Sequence, residues 1–97
     1  RDFTEYYVLK RVENKVMAYV IAPDTSKLRE YKAADAKSLR QTKIDPESTN
    51  IDVEIDIYGN NKVAFMCFGE GFGLIVESQK IYNTLKSIFD TSWENLK

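Results

Sequence analysis

The chain has 97 residues, 43% of them hydrophobic and 12% aromatic, which suits one small globular domain or a piece of a larger one. Its 14 basic and 15 acidic residues leave a net charge of −1, so the domain as a whole exerts no attraction on nucleic acid or an anionic membrane surface. Histidine is absent, which excludes histidine triads, histidine-based zinc sites and phosphohistidine chemistry, and the single Cys67 excludes an internal disulfide.

The segment Asp2 to Glu13 carries apolar residues at Phe3, Tyr6, Tyr7, Leu9 and Val12. That spacing predicts a helix, started by Asp2 or Thr4 and ended near Asn14. Val16 to Ala22 is short, β-branched and apolar throughout, as a buried central strand should be. A helix followed by such a strand predicts a sheet that is at least partly parallel. Pro23-Asp24-Thr25-Ser26 closes the strand and supplies N-caps for a helix over Lys27 to Gln41. Its apolar stripe of Leu28, Tyr31 and Leu39 is thin and broken by Asp35, so the helix should be largely exposed. Lys43 to Asn50, with Pro46 and Ser48-Thr49-Asn50, reads as a polar connection.

From Ile51 onward the pattern changes period. Ile51, Val53, Ile55 and Ile57 alternate with Asp52, Glu54 and Asp56, which marks a strand with one apolar face. Gly59-Asn60-Asn61 is a hairpin turn, and Lys62 to Phe68 is a strand covered on both sides. Gly69, Gly71 and Gly73 mark a second turn before Leu74-Ile75-Val76 resumes extended structure. Ser78, with Glu77 beside it, caps a last helix in which Ile81, Leu85, Ile88, Phe89, Ser92 and Leu96 share a face joined by Trp93. The predicted fold is α/β (α+β): one domain over 1–97, with a mixed β-sheet and flanking helices.

Each candidate chemistry has a plainer competitor. Asp52, Glu54 and Asp56 stand about 6.5–7 Å apart along one strand face, too far for neighbours to share one Ca²⁺ or Mg²⁺. A solvated face that discourages aggregation is the favoured reading. Gly69-Glu70-Gly71-Phe72-Gly73 lacks the spacing and the Lys-Ser/Thr of a phosphate loop and is read as a turn. Phe65, Phe68 and Phe72 are assigned to the core rather than to base stacking, and Cys67 to a buried structural thiol. No nucleophile-and-base motif, metal-ligand set or cofactor signature is present, so no catalytic residues, metal or cofactor are assigned. The best ligand candidate is the edge where the second helix follows the first strand, with Asp24, Thr25, Arg29, Tyr31 and Arg40.

Taken together, VMAYVIAPDT, EYK…LRQTK, IDIYGNNKVAFMCF and GLIVES…IFDTSWE resemble the phospholipase D-like domain of archaeal and bacterial transcription regulators of the TrmB type. The resemblance spans nearly the whole chain and is most specific over 55–68 and 74–94. It implies half of a phospholipase D-like fold that senses a small effector, a sugar or an anion, and forms homodimers in the cytoplasm. DNA would be reached only through a winged helix-turn-helix domain that this chain lacks. The His and Lys places of the enzymes' H-x-K motif fall near Val53 and Ile55, and their Asp near Asn60, so the resemblance implies a non-catalytic domain. The alternative is a purely structural dimerisation module without a small ligand. The initial Arg1 and the missing winged helix are expected of a C-terminal fragment, with an exposed sheet edge near Val16–Ala22. No apolar run approaches the roughly 18–20 residues of a membrane span, and no signal-peptide pattern opens the chain.

Overall fold

Eight elements follow one another in a computed structural model that describes residues 3–46 and 52–96. They are α1 (Phe3–Glu13), β1 (Ala18–Pro23), α2 (Ser26–Ala33), β2 (Arg40–Asp45), β3 (Glu54–Tyr58), β4 (Lys62–Cys67), β5 (Phe72–Glu77) and α3 (Gln79–Glu94). Asp2, Ser48-Thr49-Asn50, Ile51 and Lys97, and the side chains of Phe3 and Thr4, lie outside what is described. The five strands form one sheet in the order β2-β1-β3-β4-β5. β1 and β2 are parallel and joined through α2, while the other three pairings are antiparallel. The expected mixed sheet with flanking helices is therefore the observed architecture.

Helices cover both faces. α1 and α2 lie over one, where Tyr7 and Leu28 pack with Ala18, Val20, Ala22, Tyr58, Ala64 and Met66. α3 lies over the other, where Phe89 packs with Ile21, Ile57 and Val63. This double cover explains why β1 and β4 are apolar on both sides. Around α3 the buried stripe is Tyr82, Leu85, Phe89, Trp93 and Leu96, one residue round from the predicted face. Ile81 and Ile88 stay exposed.

Local chemistry sets the element ends. Val16 N–H returns to Arg11 O at 2.9 Å and Lys15 N–H to Val12 O at 3.0 Å, a Schellman closure of α1 with Lys15 at φ 57°. Thr25 caps α2 by accepting Leu28 N–H at 3.1 Å, and Ser78 caps α3 by accepting Ile81 N–H at 3.2 Å. Gly59 and Asn60 take φ of 62° and 64° in the turn between β3 and β4, the left-handed conformation that Gly and Asn tolerate best.

Five expectations are corrected. α2 stops at Ala33 rather than Gln41, because the Asp35 carboxylate takes the Thr42 N–H and hydroxyl and turns the chain into β2. β2 itself lies in the stretch read as helix end and connection. Its inward residues include the polar Arg40 and Thr42, so it lacks the apolar alternation that marks a strand. β1 is interior, and the sheet edges are β2 and β5. Phe72 is exposed, and Cys67 is only half-buried, its thiol donating to Glu70 Oε1 at 3.2 Å.

Candidate functional site

The face of β3 expected to meet water is the most deeply buried polar surface in the described structure. Glu54 is 1% exposed and Asp56 0%, whereas Asp52 just before the strand is exposed. The reading of these carboxylates as a solvated face fails for Glu54 and Asp56, because α1 and α2 cover that side. Alternation identifies which residues share a face, and both faces of this strand are covered.

The buried carboxylates are reached by long side chains from neighbouring elements. Arg40 starts β2, two strands away, or about 10 Å at ordinary strand spacing. Its side chain can cross because β1 presents the small or short residues Ala18, Val20 and Ala22 to this face. Arg40 Nη2 donates to Glu54 Oε1 at 3.0 Å, and Nε donates to Thr42 Oγ1 at 3.0 Å and lies 3.3 Å from Asp35 Oδ1. From α1, the Tyr7 hydroxyl donates to Asp56 Oδ2 at 2.6 Å.

Protonation follows from this arrangement. Burial, then the adjacent Glu54 carboxylate, push Asp56 well above the usual carboxylate range, and Arg40 and the Tyr7 hydroxyl oppose them only in part. Asp56 Oδ1 is buried and has no hydrogen-bond partner among the described residues. Burial works against the charge of Arg40, but Glu54, Asp56 and Asp35 outweigh it and hold the guanidinium protonated. Burial, reinforced by Asp56, keeps the proton on Tyr7. The network thus sets one buried cation, Arg40, among three carboxyl groups, of which burial and Glu54 make Asp56 the most resistant to ionisation.

A cavity of about 500 Å³ lies above this network, between α1 and α2. Val8, Leu9 and Val12 line it from α1, Tyr31 from α2, Ala34 from the cap that follows α2, and Arg40 from β2. The Arg40 guanidinium sits 5.9 Å from the Tyr31 ring centroid, and Tyr31 packs on Phe68 at 5.6 Å. Apolar walls with a few convergent polar groups are what a small-molecule site requires.

Of the five residues nominated from sequence, the structure brings Tyr31 and Arg40 to this cavity. Asp24 and Arg29 instead pair on the surface through bonds of 2.6 and 2.9 Å. That hydrogen-bonded pairing lowers the Asp24 pKa and raises that of Arg29. Thr25 is spent as the α2 cap. Sequence reasoning missed Tyr7, Asp35, Thr42, Glu54 and Asp56 as one constellation. The available signal was Glu54 and Asp56 in a strand with apolar residues on its other face, which is also the pattern of a half-exposed strand.

Ile55, at the place the resemblance gives to the enzymes' Lys, packs against the α3 side of the sheet, away from the buried carboxylates. Among the described residues no group of three acidic or thiol side chains is placed to hold a metal ion, and no helix is long and apolar enough to cross a membrane. No protein-family model, curated protein or solved structure matches the chain.

Proposed function

We propose that this chain is a non-catalytic effector-sensing and dimerisation domain of a cytoplasmic transcription regulator of the TrmB type. The observation that supports the sensing role is the cleft between α1 and α2, with Tyr31 on its wall and Arg40 at the sheet. Both helices rest on the same sheet face, so a ligand that touches both has differential affinity for arrangements in which they lie closer or farther apart. Such a bias, passed through α1 to a preceding winged helix-turn-helix domain, is the allosteric coupling a regulator needs. No enzymatic activity is proposed, since the motif places near Val53, Ile55 and Asn60 carry none of the enzymes' groups.

A thermal-shift screen of neutral sugars and nucleosides tests this reading. It should find a ligand that raises Tm, and Tyr31→Ala, at a half-buried wall position, should abolish that shift. A second reading, a dimerisation module without a ligand, is favoured by Phe72 and Leu74 on edge strand β5, 57% and 51% exposed, and by Ile88 on α3, 62% exposed. A flat screen on a well-folded dimer supports that module and ends the sensing proposal.

A further inference from the structure

We propose that a second pocket, on the opposite flank of α1 from the cleft, binds an organic phosphate. This pocket, of about 350 Å³, is lined by Lys10 and Arg11 of α1, Lys62 of β4 and Ile75 of β5, with the rings of Tyr6 and Tyr58. Three cationic side chains converge on it and, among the described residues, no carboxylate lines it. A phosphate monoester carries close to two negative charges at neutral pH and offers several acceptor oxygens, which suits three cations better than a single carboxylate does. The tyrosine rings and Ile75 would hold the apolar or ring portion of the molecule.

Arg11 is the strongest element of the argument. It is 3% exposed and forms no ion pair among the described residues. One terminal nitrogen, Nη1, donates to Val16 O at 3.0 Å and Leu39 O at 2.9 Å, which fixes the guanidinium in place. Its Nε and Nη2 are buried and have no hydrogen-bond partner among the described residues. The Tyr7 ring, 4.9 Å from the guanidinium, offsets part of the charge through its π face. A buried guanidinium without an ion-pair partner among the described residues is costly for a fold to retain, and an anion in the adjoining pocket would supply the opposite charge.

The acidic groups nearby do not neutralise the pocket. Asp56 is occupied by the Tyr7 hydroxyl. Glu77 stands opposite Lys62 in the β4–β5 register, yet the two form no ion pair, and its carboxylate accepts from Asn61 Nδ2 at 3.5 Å. Among the described residues Lys62 Nζ donates only to the neutral Asn61 Oδ1 at 3.1 Å, and Lys10 lies over the Tyr6 ring at 5.6 Å. Both lysines are therefore uncommitted cations at the pocket wall, beside a guanidinium already set in position.

Titration with inorganic phosphate and with phenyl phosphate tests the proposal, followed by calorimetry and thermal shift against sodium chloride of equal ionic strength. Both phosphates should raise Tm, phenyl phosphate more, because the tyrosine-lined wall receives its ring. The double variant Lys10→Gln/Lys62→Gln should weaken binding at least about tenfold. Both lysines lie outside the buried core, so its ligand-free Tm should match the parent's. Tyr31→Ala, in the other cavity, should leave phosphate binding intact, which separates this site from the proposed effector cleft. No stabilisation beyond chloride at about 10 mM phosphate overturns the proposal. So does binding that survives the double variant, or that is lost in Tyr31→Ala.

Discussion

The Tyr7 hydroxyl donates to Asp56 Oδ2 at 2.6 Å, tying the first helix to the third strand across 49 residues of sequence. Both groups are buried, at 3% and 0% exposure, so neither has water to fall back on. Tyr7 also meets Tyr58 edge-on at 5.3 Å and stacks beneath Arg11, which makes it the point where α1 is fastened to the sheet.

Tyr7→Phe keeps the ring packing and removes only the hydroxyl. It leaves an acceptor on Asp56 unpaired in the core, a loss of about 1–3 kcal/mol. Urea denaturation should show a lowered midpoint with an unchanged slope. A midpoint equal to the parent's would mean that the bond contributes nothing net.

Asp56 makes stability depend on pH in a particular direction. In the unfolded chain it ionises near its ordinary value of 3.8, while in the fold burial and Glu54 hold the proton to much higher pH. Its contribution is complete below that ordinary value and is lost as pH rises toward the raised folded value. Within that window unfolding releases a proton, and stability falls by up to about 1.4 kcal/mol per pH unit. Asp56→Asn keeps an acceptor for Tyr7 and does not titrate. The difference in unfolding free energy between variant and parent should therefore grow in the variant's favour from pH 4 to pH 7. A difference that stays constant across this range would show that Asp56 is ionised in the fold.

Arg40→Met strands Glu54, whose side chain is 1% exposed, without its cation. Removing one member of such a pair costs about 3–5 kcal/mol. Arg40→Met/Glu54→Leu removes both charges and should be more stable than Arg40→Met alone. Circular dichroism melts of the three proteins settle the order, and a double variant worse than the single would show that Glu54 does not depend on Arg40.

Lys15 holds the left-handed position at the end of α1, φ 57°, where its Cβ is strained. Lys15→Gly removes a strain of about 1–2 kcal/mol and gives back part of it as unfolded-chain entropy. Chemical denaturation should show a net gain of about 0.5–1 kcal/mol, and a loss would mean that the Lys15 side chain makes a stabilising contact.

Much of the architecture was legible in the linear pattern. The alternation over 53–57, the apolar runs of β1 and β4, the Gly59-Asn60-Asn61 turn and the caps at Thr25 and Ser78 are local signals. Each acts through backbone geometry or hydrogen bonds within a few residues. β2 escaped because its membership depends on distant partners: Thr42 faces inward to meet Asp35, and Arg40 to meet Glu54, 14 residues away. Of the ligand candidates, Tyr31 and Arg40 converge on one cavity, while Asp24, Thr25 and Arg29 serve α2 locally.

By itself the sequence determined the type of every element but β2, the mixed sheet, and the absence of histidine chemistry. All of these depend on near neighbours or on composition. Only the tertiary structure decided which side of β3 faces water, and the answer is neither. A period-2 pattern cannot report a second layer of helices, and that layer turns Glu54 and Asp56 from surface charges into the floor of the molecule's polar core. The same layer leaves Arg11 buried without an ion-pair partner among the described residues, because Leu39, whose carbonyl it meets 28 residues on, reaches it only in the folded chain.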